Sequence, residues 1–257
     1  MRIAVLLKEV PDTYSDREMN LETGLTDRSG DVVADEVSER AVEAALRIAE
    51  AGENIEVEIL SVGPESSADS VRRGIAMGAS EAYIVSDDAL TGADATLTGE
   101  VLAKLVEKQG YDLVIAGAES SDGGTGVIAP FMAELLDWPV LTNLTELTLE
   151  GDTVRATQAS DAATAQLEAQ LPAVVSVADE FADPRFPNFK GLMAAKKKEL
   201  RTVTLDELGV DPEDFTHPRA IMTGIERRPE RERGEIIDAS STAAARLVDF
   251  LESKNLI

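Results

Sequence analysis

The best candidate for chemistry in this chain is a run of small residues, Asp122-Gly123-Gly124-Thr125-Gly126, whose types suit a bound phosphate. Glycines let the main chain approach an anion closely and take positive φ, while a threonine can cap a helix and donate its hydroxyl. The run follows Leu113-Val-Ile-Ala116, a short apolar segment of the kind buried parallel strands show. It precedes Val127, Ile128, Phe131, Met132, Leu135 and Leu136, which recur at helical spacing. Strand, glycine turn and helix in that order put free N–H groups, from Gly123 to Val127, at a strand's carboxyl end, where open α/β sheets bind ligands. The same residues also fit a flexible connecting loop. Neither G-x-x-x-x-G-K-[ST] nor a G-x-G-x-x-G run is present, which argues against a Walker-type ATPase or a standard dinucleotide dehydrogenase.

Little else offers reactive groups. The chain has no cysteine, so thiol nucleophiles and cysteine-ligated metals are excluded, and its single histidine, His217, stands in a proline-flanked loop without a base partner. What remains is ligand binding, or chemistry borrowed from a cofactor. The 257 residues carry 49 acidic against 24 basic side chains, a formal charge of −25 that repels nucleic acid and anionic membrane and resembles a halophile's solvated surface. Met1 to Lys8 has an apolar run of strand length without a cleavage site, and no run reaches the roughly 18 apolar residues of a membrane helix. A cytoplasmic location is expected.

The elements that must hold the glycine run alternate along the chain. Strands are expected at Ile3 to Val10, Ile55 to Val62, Ala82 to Val85 and Leu113 to Ala116; helices at Asp35 to Ala51, Ala68 to Met77 and Asp94 to Lys108, stopped by Gly52, Gly78 and Gly110. Thr13 to Asp31 reads as a loop or short hairpin. The alternation implies right-handed crossovers and an open, mostly parallel, Rossmann-like α/β sheet covered by helices on both faces. Val140 to Thr142 offers a further strand. From Leu144 to Glu168 the pattern turns to hairpins around Gly151-Asp152, a small antiparallel appendage, and Leu171 to Val177 returns as a buried strand.

The last third is less regular. Phe181, Phe186 and Phe189 crowd a proline-broken segment, as a docking surface would, or as plugs at the core's edge, a role that fits Phe181 and Phe186 better than Phe189. Lys196 to Lys198 is the one basic run, which ordinarily is a solvated face. Domain boundaries are expected at 1–200 for a nucleotide-binding unit and 201–257 for a charged, extended arm ending in a helix at Ser240 to Ser253. That helix carries Ala244, Leu247, Val248 and Leu251 on one stripe, which needs either another subunit or its own sheet as a partner.

Several segments, in order, resemble the beta (small) subunit of electron transfer flavoproteins over nearly the whole chain. They are Ala4-Val-Leu-Leu-Lys-Glu-Val-Pro-Asp-Thr13, Ala76-Met-Gly-Ala79, Asp112-Leu-Val-Ile-Ala-Gly117 with Asp122 and Thr125, and Leu136-Asp-Trp-Pro139. Leu171-Pro-Ala-Val-Val175, Pro184-Arg-Phe, Leu192-Met and Lys196-Lys-Lys198 complete the set. The resemblance implies a non-catalytic carrier that takes electrons from flavin-dependent dehydrogenases to a membrane quinone oxidoreductase. It implies a heterodimer whose alpha subunit holds most of a redox-active FAD, while this subunit holds AMP at Leu6, Asp35, Glu36, Val37, Ser38, Val62 and Gly117 to Gly126, including Asp122, Gly123, Gly124 and Thr125. A recognition loop from Arg185 to Glu199 would dock dehydrogenases, with Phe189 as anchor beside Arg185, Leu192, Met193 and Lys197.

The short glycine loop is similar to the electron-bifurcating branch, in which a second FAD replaces AMP, whereas Asp137-Trp-Pro139 is similar to the AMP branch. Thr13 stands where mitochondrial members place a tyrosine near the flavin, and Ala194 replaces one of two lysines methylated in animal members, Lys197 matching the other. A rival of another class, a single-chain adenine-nucleotide hydrolase or stress-type nucleotide sensor on a similar fold, lacks its usual loops here.

Overall fold

The computed structural model describes every residue except Glu232. Residues Met1–Thr223 and Gly224–Ile257 form two separate units. The first holds a nine-stranded sheet built from β1 (Arg2–Leu6), β4 (Glu56–Val62), β5 (Glu81–Val85), β6 (Leu113–Gly117), β7 (Val140–Glu150), β8 (Thr153–Ala159), β9 (Thr164–Gln170), β10 (Ala173–Val177) and β11 (Arg201–Val203). Their spatial order is β11-β5-β4-β1-β6-β10-β7-β8-β9, parallel as far as β7 and antiparallel from there outward. The Rossmann-like expectation is met, with two differences. The antiparallel strands continue the main sheet rather than standing apart from it, and β11 adds a parallel edge beyond β5.

Successive residues of β1 feed opposite layers, as strand geometry requires. Ile3 and Val5 join α1 (Glu36–Ala51) and α2 (Ala68–Met77), whereas Ala4 and Leu6 join α3 (Ala95–Gln109), α4 (Ile128–Leu136) and α6 (Leu205–Leu208). Each fully buried Val, Leu or Ile contributes about 1.5–3 kcal/mol, against about 1 kcal/mol for a helix cap. Burial of Val42, Leu46 and Ile48 therefore decides that α1 forms, and the Asp35 cap decides where it starts. At the sheet's amino-terminal edge buried Glu58 is fully partnered. It takes the Arg2 guanidinium at 2.9 Å and the Tyr111 hydroxyl at 2.6 Å, and Arg2 lies 4.6 Å over the Tyr111 ring. Burial and the neighbouring carboxylate hold the Tyr111 phenol protonated well above its ordinary range.

The first strand expected at Ile3 to Val10 is broken at Leu7-Lys8, and its end becomes β2 (Glu9–Pro11), paired antiparallel with β3 (Val32–Ala34). A second break of expectation lies in the segment after Phe181, where Phe189–Lys197 is a helix, α5. Phe181 is buried, as expected, but Phe186 is 90 % exposed: the prolines on either side, Pro184 and Pro187, keep its segment extended, away from the core. In the second unit α7 (Ala243–Ser253) confirms the terminal helix, and none of its residues is buried. The boundary between units falls at 223/224, so that β11 and α6 lie within the first. No helix among the described residues is long and apolar enough to cross a membrane.

Candidate functional site

The chain leaves β1 toward β4 through α1 on one face, and returns from β5 through α3 on the other face to reach β6 on β1's far side. Connections therefore diverge between β1 and β6, and a crevice opens at the carboxyl ends there, the usual ligand position in such sheets. Leu6, Val62 and Gly117 end β1, β4 and β6, three neighbouring strands. Asp35 joins them to α1. Its side chain accepts from Ser38 N at 3.1 Å and from Ser121 N at 2.9 Å, while its own N–H donates to the Lys8 carbonyl at 2.9 Å. Glycine at 117 lets the start of α1 approach closely, since a Cβ there would sit a tight 3.1 Å from the Val37 carbonyl carbon and 3.2 Å from Ser38 N. Glu36 points outward and pairs with Arg40 at 3.0 Å.

The glycine loop is braced by its first residue. Asp122, its side chain only 4 % exposed, takes Lys8 Nζ at 2.7 Å and Arg28 Nη2 at 2.5 Å, and Arg17 donates to the Ser121 carbonyl. Burial alone would raise the Asp122 carboxyl, but the hydrogen bonds of Lys8, Ser120 and Arg28 and the charge of Lys8 outweigh it and hold the group well below the usual carboxylate range. Lys8, Arg17 and Arg28 escaped the sequence reading. Lys8 alone left a trace, as a base directly after a strand's apolar run.

Gly123 N donates to Asp122 Oδ1 at 2.6 Å and Gly124 N to the Ser120 carbonyl at 2.9 Å, so these two N–H groups are already engaged. The free donors begin two residues later than expected, at Thr125 rather than Gly123. Among the described residues, Thr125, Gly126, Val127, Ile128 and Ala129 N–H find no acceptor within the chain, and Gly124 and Gly126 take φ of 57° and 63° to turn the loop into α4. The expectation that Thr125 caps this helix is corrected. The residue at the cap is Val127, which has no side-chain acceptor, and Thr125 lies two positions too early. An uncapped helix start beside a glycine turn suits an anion, because its N–H groups carry the positive end of the helix dipole.

A folded-state carboxyl lowered in this way stabilises at pH above its unfolded value of about 3.9, and its contribution is lost as pH falls from there toward the lowered one. The glycine loop should therefore hold to mildly acidic pH and loosen only below about pH 4. Amide exchange of Ser120 to Gly126 between pH 3 and 6, compared with Asp122→Asn, measures this. Equal exchange in both proteins at pH 6 would remove the brace.

The second cluster is separate. Asn188 caps α5 by accepting from Gly191 N at 2.9 Å, and a Cβ on Gly191 would lie 2.4 Å from the Ala76 carbonyl, so α5 meets the end of α2 backbone to backbone. Arg72 closes the other end by donating to the Ala195 carbonyl at 2.6 Å. Phe189 is 79 % exposed, and Leu192, Met193 and Lys197 are exposed beside it. Arg185 differs from these neighbours. It is drawn onto α1, where Glu43 accepts its Nε at 2.7 Å and its backbone N at 3.1 Å, and Glu50 accepts its Nη2 at 3.0 Å. Glu43 is buried, and its pairing with Arg185 and Arg47 outweighs that burial and lowers its carboxyl. Arg185→Ala should cost about 1–2 kcal/mol, the scale of a lost hydrogen bond to a charged group, because Arg47 still pairs with Glu43 at 2.8 Å; it is read as a lowered Tm. A Tm within a degree of the parent would free Arg185 from this structural duty.

Comparison with known proteins gives a consistent result. Residues 23–208 match the electron transfer flavoprotein domain. Electron transfer flavoprotein subunit beta of Mycobacterium tuberculosis is 39 % identical, over 99 % of both chains. The subunit of the same name from Thermoanaerobacterium thermosaccharolyticum is 33 % identical over the full length of both. The caffeyl-CoA reductase-Etf complex subunit CarD of Acetobacterium woodii is 30 % identical over the same extent. With the domain matched over most of the chain and relatives aligned end to end, this protein belongs to the electron transfer flavoprotein family, as a beta subunit.

Proposed function

We propose that this chain pairs with an alpha subunit in a heterodimeric electron carrier that takes electrons from flavin-dependent dehydrogenases and delivers them to a membrane quinone oxidoreductase. The redox-active FAD is held mainly by the alpha subunit and supplies the electron chemistry when bound. This chain's residues supply position and have no catalytic role. Leu6, Val62 and Gly117 floor a crevice for AMP, Asp35 to Ser38 wall it, and the N–H groups from Thr125 onward receive the phosphate. The observation that carries this reading is the uncapped start of α4, set behind a glycine turn that Asp122 and two cations hold in place. In the docking cluster, Phe189, Leu192, Met193 and Lys197 meet the dehydrogenase, and Arg185 fixes the approach to α5.

A second FAD in place of AMP is favoured by one observation, the short Asp122-Gly-Gly-Thr-Gly126 loop. Co-expression with the alpha subunit followed by extraction decides between them. One FAD with one AMP per heterodimer supports the first reading, and two FAD with no AMP the second. A colourless homodimer that hydrolyses ATP would overturn both. The stripe on α7, with Leu247, Val248 and Phe250 all 40 % exposed or more, is assigned to the alpha subunit. Truncation before Ser240 should weaken assembly at least tenfold in a titration with the alpha subunit. Unchanged affinity would return the helix to its own chain.

A further inference from the structure

The polar segment between β2 and β3 folds back on itself. Met19 and Thr26 form an antiparallel bridge, and the turn is tied by Asn20 N to the Leu25 carbonyl at 2.8 Å and Gly24 N to the Asn20 carbonyl at 2.7 Å. Its two sides are fastened to different strand exits. Arg28 and Arg17 tie one side to Asp122 and Ser121, in the loop after β6. On the other side, Leu25 lies against Gly92, in the connection after β5, where an added Cβ would come 3.3 Å from Leu25 Cδ2. In the strand order β5-β4-β1-β6, those two exits flank the ends of β4 and β1. A hairpin fixed at both spans the mouth of the crevice between them.

A second segment fastens the hairpin. Met222 packs on its turn so closely that a Cβ on Gly24 would fall 2.1 Å from the methionine sulfur. Just before it, Ala220 N donates to Asp94 Oδ2 at 2.5 Å, and Arg219 pairs with Glu100 at 2.6 Å, both acceptors at the start of α3. The Arg219 side chain is only 6 % exposed, yet its Nε and Nη1 find no partner. A buried guanidinium held by a single ion pair pays a desolvation cost that offsets part of that pair's attraction. This suits a latch that opens, by local release of a weakly held segment, better than a permanent strut.

We propose that the hairpin from Asp12 to Asp31 is a lid over the crevice, and that residues 216–222 are its strap, with Arg219 as the latch. The inference rests on the nucleotide reading of the crevice given above. The nucleotide leaves only when the strap releases Gly24 and the hairpin lifts, so the strap sets the rate of release.

The test uses the full heterodimer with the parent chain, Arg219→Gln and Met222→Ala. Met222 is 55 % exposed, so its variant remains folded if the buried Arg219 change proves too costly. Amide exchange of Met19 to Thr26 should accelerate at least tenfold in both variants while β1 and β6 stay protected. Exchange of bound nucleotide against isotopically labelled AMP should accelerate by a similar factor. Unchanged hairpin exchange in Met222→Ala would overturn the strap. A faster hairpin with parent-like nucleotide release would overturn the lid. A parent heterodimer that carries no AMP fails differently: it overturns the reading of the crevice, and the lid falls with it.

Discussion

Phe189→Ala is expected to slow reduction of the assembled flavoprotein by a partner dehydrogenase about tenfold or more at non-saturating concentration, because an aromatic anchor at the centre of a small interface contributes about 2 kcal/mol. The ring is free for that role. It is 79 % exposed on the first residue of α5, whose position is fixed by Asn188, Gly191 and Arg72. None of those contacts involves the phenyl group, so the substitution should leave stability within about 0.5 kcal/mol. Chemical reduction by dithionite measured beside the dehydrogenase reaction separates docking from flavin loss. Parent-like dehydrogenase rates would reject the anchor, and a loss of flavin with the ring would place Phe189 in the core.

Gly124→Val should empty the crevice while Gly123→Ala does not. The two glycines are adjacent, but only Gly124 has a left-handed φ, of 57°, where a β-branched residue is an outlier and even a simple L-residue costs about 1–2 kcal/mol. An added Cβ at Gly123 meets Ser120 Oγ at 3.5 Å, an ordinary contact. Relief of the strain at Gly124 must move the turn that aims the N–H groups of Thr125 to Ala129. Bound nucleotide should then fall in the purified heterodimer, and Tm with it, since a ligand at a hundred times its Kd adds about 2.7 kcal/mol. Full nucleotide content in Gly124→Val would place the phosphate elsewhere. Loss in Gly123→Ala would mean that bulk, rather than backbone conformation, governs the loop.

Much of the first unit was legible because its signals are local. Runs such as Leu113 to Ala116 are buried on both faces and read as strands, and Asp35, Gly78 and Gly110 mark helix ends within a few residues of the stripes they bound. The failures share a cause, which is distance along the chain. β7 reads as two pieces because Asn143, at φ 54°, interrupts it, and its pairing partners β8 and β10 carry the continuity that its own sequence lacks. β11 is three residues whose only strand signal is the edge of β5 beside them. The glycine loop was found, but the cations that brace it lie more than 90 residues away, and so did its true donor set stay hidden: the Asp122 and Ser120 contacts that occupy Gly123 and Gly124 are visible only once folded. Arg185 and Glu43, 142 residues apart, are a similar case.

The lysines around α5 give the molecule a lopsided charge. Lys190, Lys196, Lys197 and Lys198 all face outward within nine residues, on a chain whose formal charge is −25. In dilute salt such a separation orients an approaching acidic surface toward α5 over a Debye length of about 10 Å or more. At molar salt that length shrinks to about 3 Å, and long-range steering disappears. Apolar burial does not weaken in the same way, and excluded salts strengthen it. If dehydrogenases dock on α5 as proposed above, recognition would pass from field to contact: the lysines would hasten encounters in dilute solution, while Phe189 at the start of the same helix would retain the partner when the medium is saline.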